Sequence, residues 1–564
     1  MTFSSYTYKR PRLEEVKAGF TKAIEKFIKA PNATQQIEAI DAVNKLRNTI
    51  QTMFDLCYIR HSIDTNDTFY KEENDFMDDF SPLVEEFISD FYKQLIESPF
   101  RQQLEEHYGR QLFHLAEAQL KTFSPEIIPL LQKENKLSSE YSRLIASAKI
   151  DFQGEERTLA QLKPFMENRD RNIRKQAGEA YFGFLADNED RLDSIYDQLV
   201  KVRHEIAVTL GYKNFVELGY YRMNRTDYNA DMVAGFRKQI EESVVPLVNE
   251  LKQRQAERID VDDLKYYDES FEYQTGNAIP KGDPAWIVEN GKKMYSELST
   301  ETKEFFDFML NEQLMDLVAK KGKESGGYCT YLPDYKAPFI FSNFNGTSGD
   351  IDVLTHEAGH AFQVYRSRNL SIPEYYWPTY EAAEIHSMSM EFITWPWMEL
   401  FFKEDTDKYK FSHLCSALNF LPYGVTVDEY QHFVYENPEA SPAERKQAWR
   451  LIEQKYLPHR NYDGNTFLEN GGYWQTQGHI YNSPFYYIDY VLAQICAFQF
   501  WKRSIENDPS VWNDYLQLCD LGGSKSFLGL VESAHLQSPF KEGTVKDVLT
   551  TISDWLNGID DKVL

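Results

Sequence analysis

The chain has 564 residues, of which 42% are hydrophobic and 15% aromatic, enough for a large buried core and more than one lobe. Its formal charge of −27 speaks against nucleic acid or an anionic membrane surface as a partner, since both attract basic patches. No apolar run is long enough to span a bilayer, and residues 1–10 lack the apolar stretch of a secretory leader, so the expected location is cytoplasmic.

In chain order, residues 12–145 carry repeated helical periodicity, as in Leu83 to Tyr92. A hairpin is expected next, with residues 148–152 returning through 157–159 around Gln153-Gly154-Glu155. Helices resume and run to about Lys252. Residues 276–283 form a loop, because two glycines and a proline preclude a regular helix there. Residues 328–332 and 339–344 predict a short antiparallel strand pair. The turn-rich run Phe344 to Asp350 leads into an apolar helix, and residues 379–391 have the composition of another. The predicted fold is mostly α-helical, with a helical lobe over residues 1–200 and a domain over 201–564 that carries the chemistry. Cys57, Cys329, Cys415, Cys496 and Cys519 are widely spaced with no C-x-x-C pair, which fits free thiols and no cysteine metal site. Cys329 lies nearest in sequence to the motif described next and is a candidate for redox sensitivity.

That motif is His356-Glu357-Ala358-Gly359-His360, an H-E-x-x-H. On a helix, positions i and i+4 share one face, so both imidazoles can ligate one Zn²⁺ while Glu357 serves as general base. Two stray histidines on a solvated helix are the bland alternative. Ile351, Val353, Leu354, Ala358, Ala361 and Phe362 oppose it, since so apolar a helix buries histidine and glutamate only when they are paired or bind a metal. Gln363 and Arg366 exclude the metzincin extension. The common remaining solution is a glutamate from a second helix. Glu381, Glu384 and Glu391 share one face of the 379–391 segment by spacing, and spacing alone does not choose among them. The strand pair suggests a substrate site as well. An extended peptide could add to an edge at Phe341, Ser342, Asn343 and Phe344.

The runs Pro338 to Thr347 and Asp350 to Phe362 resemble the active-site signature of the oligoendopeptidase F group. That group belongs to the thimet oligopeptidase family of zinc metallopeptidases, and the bacterial Pz-peptidase type is the nearest in pattern. The family carries a glutamate ligand in an E-x-x-S context with another glutamate seven positions on. Glu384, Ser387 and Glu391 match that pattern, and Glu381 does not. His386 stands where relatives often have proline. Ala207 to Phe215 resembles a stretch that precedes the family's catalytic core, and His479 to Tyr490 resembles its histidine-and-tyrosine substrate loop, with Ile488-Asp489 where relatives often have one glycine.

The resemblance implies a two-lobed helical zinc peptidase with a deep cleft, a small antiparallel sheet near the zinc helix, and one Zn²⁺ per chain on His356, His360 and Glu384. It implies oxyanion donors at His479 and Tyr490, with Tyr486 next, and substrate contacts from Tyr481 and Tyr487. Phenol and imidazole suit that role, because they donate to charge that develops at the attacked carbonyl. The expected activity is endopeptidase cleavage of short oligopeptides with Glu357 as general base. A zinc carboxypeptidase or dipeptidyl carboxypeptidase of related fold is the alternative within enzymes, and a non-catalytic peptide-binding protein is the alternative outside them.

Overall fold

Short polar side chains set many of the helix starts. Asn32, Asp67, Asp170, Asn214, Asn229 and Asp283 each accept a hydrogen bond from a first-turn backbone N–H. Thr158, Ser299 and Ser441 form reciprocal capping boxes. The computed structural model describes residues 1–564, and the chain is mostly helical with two small sheets.

The first 146 residues form six α-helices, from Leu13–Lys29 to Ile128–Ala146. The hairpin follows as β1 (Ile150–Phe152) and β2 (Glu155–Arg157), paired antiparallel. Gln153 and Gly154 both have positive φ, 55° and 80°, the geometry of a tight two-residue turn. The return strand stops at Arg157, short of the expected Leu159, because Thr158 caps the helix Leu159–Met166. The helix over Ala230–Arg258 runs one turn and a half past Lys252.

The second sheet departs from expectation. It holds β3 (Met315–Val318), β4 (Tyr328–Leu332) and β5 (Ala337–Phe344) in the order β3-β5-β4. β4 and β5 pair antiparallel, with Tyr328 opposite Phe341. β3, not foreseen, pairs parallel with β5, Met315 opposite Ile340. The sheet is therefore mixed, not antiparallel. β5 lies in its centre with both edges occupied, so Phe341, Ser342, Asn343 and Phe344 cannot receive an added strand. The edge nearest the motif is β4.

Two large apolar cores form. One draws on residues 16–116 together with Ile372 and Tyr375. The other takes in most of the remaining helices. Four helices of the larger core position the site: the motif helix (Gly349–Ser367), the acid helix (Tyr380–Ile393), the long helix (Thr406–Glu436) and the tyrosine helix (Tyr487–Ile505). No helix is long and apolar enough to cross a membrane.

Candidate active site

The motif helix is launched by Asp350. Its carboxylate accepts hydrogen bonds from the backbone N–H groups of Asn345 and Gly346, each 2.8 Å. Gly346 has φ 90°, which a side chain would resist, and the loop is thereby folded back onto the helix start. From there the i, i+4 spacing sets the His356 and His360 rings 5.1 Å apart on one face.

The acid helix crosses this face. Glu384 is 1% exposed, and its Oε2 lies 3.2 Å from Nε2 of both His356 and His360. The three ligand atoms lie within 4.8 Å of one another. Ser387 Oγ donates to Glu384 Oε2 at 2.8 Å, and the Tyr486 hydroxyl donates to Oε1. Burial alone would raise the Glu384 carboxyl, but the His360 and His356 imidazoles outweigh it and hold it well below the ordinary glutamate range. Two imidazoles and one carboxylate, converging from two helices, are a donor set that could hold a metal ion.

The other acids of that helix face do different things. Glu391 Oε1 accepts the Nδ1–H of His356 at 2.7 Å, which in the neutral imidazole leaves Nε2 to serve as a ligand atom. A carboxylate behind a ligand histidine fixes its tautomer and orientation. Glu381 is fully buried, and neither of its carboxyl oxygens has a hydrogen-bond partner. Burial and the charge on Asp489 push it well above the ordinary range, against the pull of Arg225. His386 turns back on its own helix, its Nδ1–H donating to the Ala382 carbonyl at 2.7 Å. It adds no contact at the ligand group.

Glu357 is 5% exposed, and its Oε2 is buried without a partner. Burial raises its pKa above the ordinary glutamate value, opposed by His356 and His360. The Gly326-Gly327 turn covers it. A Cβ on Gly327 would lie 3.3 Å from Glu357 Oε1 and 3.1 Å from Val353 Cγ1. Asn343 holds this turn by donating to the carbonyls of Glu324 and Gly326 at 2.9 and 2.8 Å.

These groups open into a cleft of about 1370 Å³. Arg47, Tyr92 and Tyr141 line it from the N-terminal part of the chain, and His479, Tyr486 and Tyr490 from the C-terminal part. His479 Nε2 and the Tyr490 hydroxyl are hydrogen-bonded at 3.1 Å. Gln477 holds the other ring nitrogen at 2.7 Å and accepts from the Tyr423 hydroxyl. Burial pushes His479 down to about 4, against the pull of Glu384, so the imidazole is neutral at physiological pH. The rings of Tyr486 and Tyr490 lie 4.9 Å apart.

Four residues expected to contact substrate do not reach the cleft. Phe341 and Phe344 are core residues, 0% and 3% exposed, and Phe341 stacks on Tyr328. Tyr481 is fully buried and stacked on Tyr141. Tyr487 packs edge-on against Tyr423, one position round the helix from the face that carries Tyr486 and Tyr490. Ser342 and Asn343 do line the cleft, alongside Gly326 to Thr330 of the β4 edge. Asp352, Tyr409 and His413 also border it, and no motif signals them. Their only trace in the sequence is the i, i+4 spacing of Tyr409 and His413 on the long helix. All five cysteines are free, and burial pushes the Cys329 thiol well up. That opposes the thiolate character a redox sensor needs.

Comparison with known proteins identifies the family. The peptidase family M3 description matches residues 164–282 and 288–548, and the peptidase M3 N-terminal domain matches residues 3–123. A Pz peptidase A solved with an inhibitor is 65% identical, covers 100% of both chains and superposes with a TM-score of 0.99. An oligoendopeptidase F homolog of Borreliella burgdorferi is 25% identical over 64% of this chain, and the match spans 61% of that protein. Oligopeptidase PepF of Bacillus subtilis is 20% identical over 90% of this chain and 78% of its own length. The chain belongs to peptidase family M3, within its oligoendopeptidase F group.

Proposed function

We propose that this chain is a zinc-dependent endopeptidase that cleaves internal bonds of short oligopeptides. The observation that carries the reading is the convergence of His356 Nε2, His360 Nε2 and Glu384 Oε2 beside the unpartnered Glu357 carboxylate. The N₂O donor set suits zinc, and Glu391 leaves the His356 Nε2 lone pair available for it. Zinc bound there supplies the Lewis acidity that makes water nucleophilic near neutral pH. Glu357 takes the proton from the attacking water and delivers it to the leaving amine. Tyr490 donates to the oxyanion that forms at the attacked carbonyl, and His479 holds that hydroxyl in place. Tyr486, on Glu384, steadies the third ligand.

The substrate lies extended in the cleft and adds to the free edge of β4, with Gly326 and Gly327 leaving room beside Glu357. Residues 1–200 and 201–564 serve as the two lobes that flank it. A cleft lined from both sides admits a single extended strand and excludes a folded domain. Mapping the cleavage products of a mixed peptide library tests this, run beside a compact folded protein. Internal cuts in the peptides and an intact folded protein are expected. Cleavage of the folded protein at comparable rates, or removal of terminal residues only, contradicts the reading.

A carboxypeptidase or dipeptidyl carboxypeptidase reading requires a cation for the substrate carboxylate. Arg47 is paired with Glu374, and Lys252 is bonded to Gln255. Lys163 lines the same cleft outside any ion pair, and it is the residue such a reading would use. Peptides with free and amidated C-termini, cut at equal rates, dispose of it. A purely binding role leaves the buried Glu357 carboxylate without purpose, and any catalytic turnover ends that reading.

A further inference from the structure

Behind His356 the hydrogen bonds run on in a fixed direction to Trp395, in the short turn just past the end of the acid helix. Trp395 Nε1 lies 3.1 Å from His413 Nδ1. An indole N–H can only donate, so His413 Nδ1 must present its lone pair. A neutral imidazole then carries its proton on Nε2, which lies 2.9 Å from Glu391 Oε2. Glu391 accepts on both oxygens, from His413 and from Nδ1–H of His356. The one group in this chain with no freedom of role is therefore the indole, and it decides the three that follow.

The parts are also held against rotation. His413 and Trp395 are 6% and 7% exposed. The His413 ring stacks on Tyr409 with centroids 5.5 Å apart, and Phe392 covers its other side at 4.9 Å. Tyr409, one turn before His413, donates its hydroxyl to Asp352 Oδ1 at 2.7 Å. Asp352 lies one turn before His356. The long helix thus grips the motif helix at two successive turns, once directly and once through Glu391.

We propose that His413 and Trp395 are positioning residues of the metal site. They fix Glu391 as a double acceptor, and through it the tautomer and angle of His356. The inference rests on the metal reading given above. Partners behind a ligand histidine typically contribute about 10- to 100-fold to metal affinity.

The test follows release of zinc from the zinc-loaded full chain into a chromophoric chelator, with melting temperature measured before and after metal removal. His413→Phe keeps a ring and deletes the donor. His413→Gln keeps an N–H donor near the Nε2 position. Trp395→Phe removes only the indole N–H from the relay. Release is expected to accelerate about 10- to 100-fold in His413→Phe, to accelerate less in Trp395→Phe, and to stay near wild type in His413→Gln. The zinc-dependent part of the melting temperature should shrink in the same order. Wild-type release rates in both His413→Phe and Trp395→Phe overturn the inference. So does equal acceleration in His413→Gln and His413→Phe, since the donor would then be irrelevant, or a lower melting temperature of the metal-free protein with release unchanged. Should His413→Phe fail to fold, Trp395→Phe and His413→Gln decide between the same outcomes. A wild-type chain that takes up no zinc fails at the metal reading itself, before these variants are compared.

Discussion

Gly359 meets Ser387 at the crossing of the motif and acid helices. A Cβ built on Gly359 would lie 2.6 Å from the Ser387 Cα and 2.7 Å from the His386 carbonyl oxygen. Both obstacles are backbone, so neither can rotate away. The absent side chain lets the helices approach closely enough for Glu384 to reach His356 and His360 together. Gly359→Ala should therefore force the helices apart, at a cost of about 1–3 kcal/mol for overpacking, and weaken zinc retention. Melting temperature and zinc content measure this. An alanine variant with wild-type values of both contradicts the close-packing account.

Glu384 and Glu381 are separated by one turn and differ in surroundings. Glu384 faces both imidazoles, whereas Glu381 lies with Asp489 and Arg225. Glu384→Ala should lose zinc at micromolar concentrations, and Glu381→Ala should keep it stoichiometrically. Metal analysis after desalting decides, and the reverse pattern moves the ligand to Glu381.

Tyr490→Phe deletes one hydroxyl and keeps the ring. A donor aimed at developing charge lowers the barrier more than it tightens binding, so kcat should fall about 10²- to 10³-fold with KM little changed. Tyr486→Phe should instead weaken zinc retention, since its hydroxyl is spent on Glu384. Steady-state kinetics with zinc analysis of both variants separates these roles. A Tyr490→Phe enzyme near wild type, beside a crippled Tyr486→Phe enzyme with full zinc, assigns the oxyanion to Tyr486.

The pH profile follows from Glu357. Catalysis needs its ionised form, and burial lifts its pKa above 4.5 despite His356 and His360. As pH falls, Glu357 therefore protonates before an ordinary glutamate would, and kcat/KM declines through a limb above 4.5. His479, held down to about 4, is mostly neutral over that limb. Glu357→Gln should lower turnover by about 10²- to 10⁴-fold and retain zinc. An acid limb below 4 contradicts the burial argument.

Much of the site was legible because its chemistry is local in sequence. The i, i+4 histidines need only one helix to meet. The E-x-x-S pattern has a direct cause, because Ser387 sits one turn beyond Glu384 and donates to it. The seven-residue step to Glu391 places a second carboxylate behind His356. Tyr486 and Tyr490 share a helix face for the same reason, and Tyr487 falls off it. What escaped is non-local. β3 has four residues and no alternation of polarity, so nothing in Met315 to Val318 tells that it pairs with β5. That pairing buries Phe341 in the central strand and leaves β4 as the free edge beside the motif. Tyr409 and His413 reach the site from a separate helix and Trp395 from the turn just past the acid helix, and beyond the i, i+4 spacing of the first two nothing in the chain records their meeting. The helical class itself was plain from periodicity over residues 12–145, and the hairpin from its Gln153-Gly154 turn.

Dialysis against a chelator followed by zinc readdition, with cleavage of an internally quenched oligopeptide as readout, decides whether zinc drives the cleavage. Activity is expected to disappear with the metal and to return as zinc is restored to one ion per chain. Full activity in protein shown to be metal-free would contradict it.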